Sequence, residues 1–394
     1  MAGSPMTIGV LGAGAMGGGI AQVAAAAGHT VMLGDAVDGA VSRAVVNIAG
    51  SLARDVTKGR IDQVTADATL ARITDAGEHG AGYGAFAECG LVIEAVAEDL
   101  ATKTALFGAI EHHVSAECVL ATNTSSLPVA AMAGKCSRPE RVIGMHFFNP
   151  AVVMPLVEII PAITTSDVVS AQARALVASW KKIPVVARDT PGFIVNRIAR
   201  PFYGESLRIL EEGIADAATI DWAMRDLAGF RMGPFELMDF IGNDINFAVT
   251  QSVYEGFFHD PRYRPSITQR RLVEAGFWGR KRNRGFFDYR DGAVKPEPTR
   301  DPEIGQAIVD RVIAMLVNEA IEAVFLRIAT PADIELSMKT GVNYPRGLLA
   351  WGDEIGPARI LHRLDALQAE YGDDRYRASV LLRRRVATGE RLLT

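Results

Sequence analysis

"TIGVLGAGAMGGGIA", residues 7–21, decides the fold of the first part of the chain. An apolar strand pattern runs into glycines at positions 12, 14 and 17, and an Ala-rich helical pattern follows at once. With this spacing the first glycine makes a tight turn, the second lets the backbone approach a pyrophosphate, and the third lets helix and strand pack closely. Asp35 closes the next strand pattern, where its carboxylate can accept hydrogen bonds from ribose hydroxyls.

This stretch predicts a dinucleotide site made of Gly12, Ala13, Gly14, Ala15, Met16, Gly17 and Asp35. A plain Gly-rich turn is the alternative for the glycines alone, but strand, helix and acid in register favour the dinucleotide. The carboxylate of Asp35 would repel a 2′-phosphate, and it is followed by Ala36 and Val37 rather than by an arginine. The predicted cofactor is therefore NAD rather than NADP.

Beyond this stretch, short apolar runs continue to alternate with helical patterns, which is typical of βαβ units around a parallel sheet. From Ile194 onward the periodicity is mainly helical. The helical part also repeats itself: landmarks such as Arg197 and Arg311 recur at an offset of 114 residues, with a slip of one. We therefore predict an α/β Rossmann-type NAD-binding domain (1–188), an all-α domain (189–292), a Pro-rich linker (293–302) and a degenerate copy of the helical domain (303–394).

The bulk composition excludes several classes of protein. Among the 394 residues, 49% are hydrophobic and 22% are charged, which is typical of globular proteins and not of disordered ones. A net charge of −5 does not predict the basic surface that binds nucleic acid, and no apolar run is long enough to span a membrane. The first ten residues lack the pattern of a signal peptide, and three distant cysteines predict no metal site, so we expect a cytoplasmic protein.

Two ionisable residues interrupt apolar runs in "MHFFNPAVVMPLVEII", residues 145–160. Taken alone, His146 is typical of a satisfied core histidine, and Glu158 of a strand residue that faces solvent. If the two runs fold back on each other about Val152, however, the two side chains face each other. A carboxylate beside an imidazole fixes its tautomer and stabilises the imidazolium, as a general base requires. Beside a nicotinamide, that pair predicts a dehydrogenase of an alcohol.

Four motifs resemble the L-3-hydroxyacyl-CoA dehydrogenase family: "NTSSLPV" (123–129), "RVIGMHFFNPAVVMPLVEII" (141–160), "DTPGFIVNRI" (189–198) and "MGPFELMDFIG" (232–242). The likeness covers nearly the whole chain. It implies a Rossmann domain joined to a helical domain, and NAD-dependent oxidation of a (3S)-3-hydroxyacyl-CoA to the 3-ketoacyl-CoA. It also implies a role in fatty-acid β-oxidation or related acyl-CoA degradation.

The resemblance implies a role for each matched residue. His146 matches the catalytic base and Glu158 its orienting carboxylate, while Ser125 and Asn196 match residues that hydrogen-bond the substrate oxygen. Matched cofactor-binding positions are Glu98, Lys103, Ser125, Asn149 and Lys281, and matched CoA contacts are Ser51 and Lys58. For Ser125 or Ser126 the alternative is an N-cap of the helix that follows, and we expect Ser126 to cap and Ser125 to catalyse.

Alternatives remain for several of these residues and for the function. Glu98 and Lys103 could also lie at a solvated start of a helix. The segment around Lys281 could be a solvated basic loop, and its Asn283 and Phe287 depart from the family pattern. The chain could instead oxidise a free hydroxy or sugar acid, or bind NAD without catalysis as crystallin-like proteins do. The sequence does not determine the acyl chain length, whether the acyl group ends in a carboxylate, or the direction of the reaction.

The second helical copy raises the question of oligomeric state. Its Asp310 replaces the Asn196 of the first copy, so we expect no second active site. Single-copy relatives in the resembled family dimerise through the helical domain. A second copy on the same chain could take the partner's place, and we expect a monomer or a different homodimer.

Overall fold

A computed structural model of the chain describes residues 5–78 and 82–394, apart from the side chain of Glu78. The chain divides into two compact units, Met1–Asp189 and Thr190–Thr394. The boundary falls one residue beyond the predicted end of the first domain. Within the described residues, no helix is both long enough and apolar enough to cross a membrane.

The first unit is built on an eight-stranded sheet. Its strands are β1 (Thr7–Leu11), β2 (Thr30–Asp35), β3 (Ile73–Glu78), β4 (Leu91–Glu94), β5 (Val119–Thr122), β6 (Val142–Phe147), β7 (Leu156–Pro161) and β8 (Ile183–Val186). The strand order is β3-β2-β1-β4-β5-β6-β7-β8, and all neighbours are parallel except β6 and β7. The order 3-2-1-4-5-6 is that of a Rossmann fold, in which the ligand crevice opens where the order reverses, between β1 and β4.

The helices of this unit are α1 (Ala15–Ala26), α2 (Ala40–Thr57), α3 (Gln63–Ala71), α4 (Leu100–Ile110), α5 (Val129–Ala133) and α6 (Asp167–Ser179). Strands β4, β5 and β6 are buried along their whole length, as expected of parallel strands covered on both faces. The predicted βαβ pattern is confirmed. Strand β3 was not predicted, because "ITDAGE" lies at the sheet edge with several exposed residues and shows no apolar alternation.

The second unit is entirely helical. Its first half holds α7 (Val195–Ile198), α8 (Arg200–Glu211), α9 (Ala217–Trp222), α10 (Pro234–Ile241), α11 (Asn243–Gly256) and α12 (Ile267–Glu274). Its second half holds α13 (Pro302–Phe325), α14 (Pro331–Gly341), α15 (Leu348–Ile355), α16 (Pro357–Tyr371) and α17 (Val380–Thr388). Helices α14, α15 and α16 begin 114 residues after α9, α10 and α11. The two halves lie in one compact unit, because α13 packs against α8.

A buried ion-pair cluster joins the two halves. Glu319 of α13 is fully buried and accepts hydrogen bonds from Arg197 Nε (2.6 Å), Tyr263 OH (2.5 Å) and Arg262 NH1 (3.2 Å). All three donors belong to the first half. Although burial opposes ionisation, the charges of the two arginines hold the pKa of Glu319 below its usual value.

The reciprocal cluster lies on the other side of the same interface. Glu205 of α8 is fully buried and accepts from Arg311 Nε (2.7 Å) and Tyr376 OH (2.6 Å), both from the second half. Each member stands 113 or 114 residues from a residue of the same type in the first cluster. The interface between the halves therefore repeats one set of contacts in both directions.

Candidate active site

The Gly-rich turn between β1 and α1 has the geometry of a phosphate cradle. Gly12 has φ +102°, and a Cβ there would lie 2.6 Å from the Ala95 carbonyl oxygen. A Cβ on Gly17 would lie 1.7 Å from the Gly12 oxygen, so helix and strand pack only because both residues are glycines. At Gly14 an added Cβ would meet no atom within 4 Å. The loop thus leaves open space beside Gly14, where the backbone of a dinucleotide site approaches the pyrophosphate.

The flanking residues suit the same ligand. Helix α1 begins at Ala15, so the first amides, including that of Met16, face the mouth of the turn with the positive end of the helix dipole. Asp35 ends β2, and its two carboxylate oxygens accept from the Ala13 amide at 2.6 Å and the Val37 amide at 2.9 Å. Each oxygen keeps a lone pair for a ribose hydroxyl. The residues present therefore fit NAD.

His146 and Glu158 form a buried pair on strands β6 and β7. The antiparallel register places the two residues directly opposite each other. His146 Nδ1 lies 2.7 Å from Glu158 Oε2, at 5% exposure for the histidine and 0% for the glutamate. The predicted fold-back about Val152 and the predicted pairing are confirmed. Since burial of either ionisable group alone would be costly, each satisfies the other.

Glu98 organises the loop that carries Ser125. Its Oε1 accepts from Thr124 Oγ1 (2.7 Å), the Ser125 amide (2.8 Å) and Ser125 Oγ (3.1 Å). The same loop is tied to β6 by Asn123 Oδ1, which accepts from the Phe147 amide at 2.8 Å. Glu98 and Asn123 therefore fix the position of Ser125 relative to the strand that carries the histidine.

A second carboxylate behind Glu98 is a residue that sequence reasoning missed. Glu94, at the end of β4, is 1% exposed and accepts from Lys103 Nζ (2.5 Å), Thr122 Oγ1 (2.7 Å) and the Val96 amide (2.7 Å). Lys103 is equally buried and also lies 3.3 Å from Glu98. Burial opposes ionisation of Glu98, but the Lys103 charge and the hydrogen bonds to its carboxylate hold its pKa below the usual value. The sequence did contain a signal for Glu94, because it is an acidic residue at the end of the otherwise apolar strand "LVIE".

The expected N-cap by Ser126 is wrong. Helix α5 begins at Val129, its N-cap residue is Pro128, and no side chain of the cap residue accepts a hydrogen bond. The carboxylate of Asp189 takes that role and accepts from the Val129 amide (3.0 Å) and the Ala130 amide (2.7 Å). Capping from 60 residues away leaves no local sequence signal.

The other predicted positions of the first unit lie on separate elements. Ser51 sits on α2, half-buried, with its hydroxyl 3.4 Å from Gln22 Nε2. Lys58 follows α2 at an exposed position, seven residues and therefore two helical turns after Ser51. Asn149 is exposed and follows β6. Their roles in binding NAD or CoA stay predictions.

The remaining predicted residues lie in the helical unit. Asn196 is half-buried on α7. Lys281 is partly exposed, and its Nζ lies 2.6 Å from a carboxylate oxygen of Asp244. Its contact with the cofactor stays a prediction. Asn283 adopts φ +56° where the resembled loop has glycine, a conformation that asparagine tolerates better than most residues, and Phe287 is buried. The two departures are therefore accommodated in an ordered turn.

Comparisons with known proteins agree with this architecture. Residues 7–190 match the family model "3-hydroxyacyl-CoA dehydrogenase, NAD binding domain", and residues 192–289 and 308–391 match "3-hydroxyacyl-CoA dehydrogenase, C-terminal domain". A 3-hydroxyadipyl-CoA dehydrogenase of Escherichia coli K12 is 38% identical over 96% of this chain and 97% of its own. A 3-hydroxybutyryl-CoA dehydrogenase of Bradyrhizobium diazoefficiens is 41% identical over 74% of this chain and 98% of its own.

A solved structure extends the match to three dimensions. The crystal structure of a 3-hydroxybutyryl-CoA dehydrogenase from Escherichia coli K12 superposes with a TM-score of 0.90 at 36% sequence identity. The alignment covers 98% of this chain and 99% of that one. Similarity of this extent includes both the sheet unit and the whole helical unit.

Proposed function

The chain belongs to the 3-hydroxyacyl-CoA dehydrogenase family, and from that membership we propose that it oxidises the 3-hydroxyl of a (3S)-3-hydroxyacyl-CoA with His146 as general base. The family is NAD-dependent, and NAD is the cofactor. The observation that carries the proposal is the buried His146–Glu158 pair at 2.7 Å, in the same sheet unit as a Gly-rich turn suited to a dinucleotide. The reverse reaction, reduction of a 3-ketoacyl-CoA, uses the same groups.

The chemistry of the pair follows from its geometry. Glu158 faces Nδ1, which fixes the imidazole tautomer, so Nε2 is the nitrogen that takes the hydroxyl proton and returns it in the reverse direction. The carboxylate stabilises the imidazolium that forms. Bound NAD supplies the acceptor for the hydride that leaves C3. Loss of the proton from oxygen and of the hydride from carbon together convert the alcohol to a ketone.

Ser125 and Asn196 are proposed to act on the reacting oxygen. As the C3 hydroxyl becomes a carbonyl, its oxygen carries a partial negative charge, and hydrogen-bond donors already in place stabilise that charge. Glu98 holds the backbone of Ser125 through its amide at 2.8 Å. Because a serine hydroxyl has one O–H, the contact of Ser125 Oγ with Glu98 at 3.1 Å is exchanged for the substrate oxygen when substrate binds. The charge of Lys103 keeps Glu98 ionised as an acceptor, so Lys103 is proposed as a positioning residue that acts through Glu98.

From the family match, we propose that the CoA part of the substrate contacts Ser51 and Lys58. Lys281 is proposed to lie close to the cofactor. A basic side chain such as Lys58 suits the phosphates of CoA. The names of the relatives suggest two acyl groups, hydroxyadipyl and hydroxybutyryl. With either acyl group, the proposed reaction belongs to acyl-CoA degradation of the β-oxidation type.

Oxidation of NADH tests the proposal. We expect 3-ketoacyl-CoA thioesters to be reduced, and the corresponding free 3-keto acids to be poor substrates because they lack the CoA contacts. Equal rates on free hydroxy or sugar acids would favour a dehydrogenase of non-CoA acids. NADH binding without turnover of any 3-ketoacyl-CoA would contradict an enzymatic function.

Cofactor preference should depend on Asp35. Because the carboxylate would meet a 2′-phosphate, we expect kcat/KM with NADH to exceed that with NADPH by about 10²-fold, the size of a like-charge contact. Asp35→Asn keeps an acceptor for the Ala13 amide and removes the charge, so this ratio should fall about 10-fold. Asp38→Asn, exposed three residues downstream, is the matched control. An unchanged ratio in Asp35→Asn would exclude its role.

The second half of the helical unit is proposed to stand in for a dimer partner. In a two-fold symmetric interface, every contact from one side recurs from the other. The paired clusters around Glu319 and Glu205 have this reciprocity within one chain. On this proposal, the chain supplies internally the interface that the family resemblance implies for single-copy relatives.

A single active site per chain follows from this arrangement. We expect native mass spectrometry to give a monomer, and calorimetry to give one NADH per chain, because the second half carries Asp310 in place of Asn196 and no Gly-rich turn. A dimer in native mass spectrometry would contradict the proposal that the second half replaces a partner, and two NADH per chain would contradict the single site.

A further inference from the structure

Arg200, at the start of α8, is a buried cation beside a residue of the proposed active site. Its side chain is 6% exposed. Nε donates to the Asn196 carbonyl at 2.7 Å, and NH1 donates to Thr250 Oγ1 at 3.0 Å and to the Asn246 carbonyl at 3.5 Å. All of these acceptors are neutral. The side chain is therefore held firmly in place without any neutralising charge.

This lack of a counter-ion sets Arg200 apart. In the part of the helical unit that the structure describes, no carboxylate oxygen lies within 4.0 Å of its guanidinium. The other buried arginines of that unit each pair with a glutamate: Arg197 and Arg262 with Glu319, Arg208 and Arg311 with Glu205. Burial lowers the pKa of Arg200, but a guanidinium stays charged at neutral pH. A buried charge is stable only when it is compensated.

Tyr344 adds a second unmatched donor to the surroundings of Arg200. Its hydroxyl is buried and has no hydrogen-bond partner among the described residues. The Tyr344 ring lies 5.8 Å from the ring of Phe202, two residues after Arg200, and the Tyr203 ring lies 4.9 Å from the Arg200 guanidinium carbon. Buried polar groups normally have partners, so the unmatched hydroxyl and the unmatched cation of this region both require an explanation.

The duplication of the helical unit argues that Arg200 is not needed for packing. Residues of the interface clusters recur at the 114-residue offset, as Arg197 does in Arg311. At the same offset, however, Arg200 corresponds to Ala314 and Tyr203 to Val317, both fully buried. An alanine therefore fills the equivalent place in a helix that packs equally well.

We propose that Arg200 and Tyr344 bind a carboxylate at the distal end of the acyl group, and that the substrate is a six-carbon dicarboxylic 3-hydroxyacyl-CoA. The proposal rests on the proposed function, which puts the C3 oxygen at Asn196. Guanidinium and phenol hydroxyl are both donors, and a carboxylate supplies both the missing charge and the missing acceptors.

Chain length follows from the closeness of the two residues. Arg200 Nε lies 2.7 Å from the Asn196 carbonyl oxygen, so a ligand that contacts both residues needs only a short chain between its two polar groups. A carboxyl carbon at C6 is three bonds from C3, roughly 4 Å away at about 1.5 Å per bond. A four-carbon acyl group ends in a methyl one bond beyond C3, and it would leave the cation buried without a partner.

The test compares two substrates that differ only at the distal end. With NADH, we expect kcat/KM for 3-ketoadipyl-CoA to exceed that for 3-ketohexanoyl-CoA, which has the same carbon count, by about 10²-fold or more, since a site built around a charged partner rejects an analogue that lacks it. Arg200→Met should reduce this ratio by about 10²-fold, and Arg200→Lys should retain part of it. Tyr344→Phe should reduce the ratio about 10-fold, by the loss of one hydrogen bond to a charged group.

The outcomes separate this inference from the proposed function. Equal kcat/KM for the two substrates in the wild-type enzyme would overturn the carboxylate site and leave the dehydrogenase intact. Failure to reduce either thioester would count against the proposed function itself. If Arg200→Met does not fold, Tyr344→Phe decides the question, because it removes only a hydroxyl that has no hydrogen-bond partner among the described residues. An unchanged ratio in that variant would overturn the proposal.

Discussion

Replacement of His146 by glutamine is expected to lower turnover of 3-ketoacyl-CoA by about 10²- to 10⁴-fold, the usual contribution of a general acid–base. Glutamine keeps a side chain of similar size against Glu158 but cannot exchange a proton with the substrate oxygen. NADH binding should remain, because the Gly-rich turn and Asp35 do not involve the histidine. Steady-state rates and a fluorescence titration with NADH measure the two effects separately.

His112→Gln is the matched control for this prediction. His112 is exposed at the end of the α4 region, and its side chain takes no part in the site, so the same change there should leave both rate and NADH binding unaltered. A His146→Gln enzyme of near-normal turnover would refute the role of His146 as the base. Loss of NADH binding in step with turnover would point instead to a structural defect.

The second large effect concerns stability. Glu319→Ala removes the only carboxylate that touches Arg197 and Tyr263 within the described part of the helical unit, and it leaves the Arg197 guanidinium buried without an ion-pair partner. Breaking a buried ion pair from one side costs about 3–5 kcal/mol, because the remaining charge stays desolvated. The free energy of unfolding of the helical unit should fall by that amount.

Denaturant unfolding followed by tryptophan fluorescence measures the change, since Trp222, Trp278 and Trp351 all lie in the helical unit. Glu274→Ala is the control: its pair with Arg270 on α12 is solvent-exposed, and exposed pairs contribute little. Equal losses in the two variants would show that the cluster around Glu319 is not what holds the two halves together.

The dinucleotide fold and the His146–Glu158 pair could be predicted because their signals are local. A strand, three glycines at fixed spacing, a helix and a terminal acid occur within residues 7–35. The pairing of histidine and glutamate required only that two strands fold back on each other between prolines. Its midpoint, Val152, lies six residues from each of the two side chains. Both features depend on short stretches of sequence whose backbone geometry is strongly determined.

Features created by contact between distant segments could not be predicted. Asp189 caps α5 from 60 residues away, and Glu94 meets Lys103 only after β4 and α4 have packed. Arg200 occurs in an amphipathic pattern where an arginine normally predicts a solvated face, and it becomes buried through contact with α11. The sequence supplies these residues without indicating their partners.

The central claim is that hydride passes between the nicotinamide and C3 of a 3-ketoacyl-CoA. Its most direct test is to incubate the protein with 3-ketoadipyl-CoA and NADH deuterated at both C4 positions, and to locate the label by mass spectrometry. We expect a 3-hydroxyacyl-CoA that carries one deuterium at C3, formed in step with NADH oxidation. A product without deuterium, or oxidation of NADH without formation of a 3-hydroxyacyl-CoA, would contradict it.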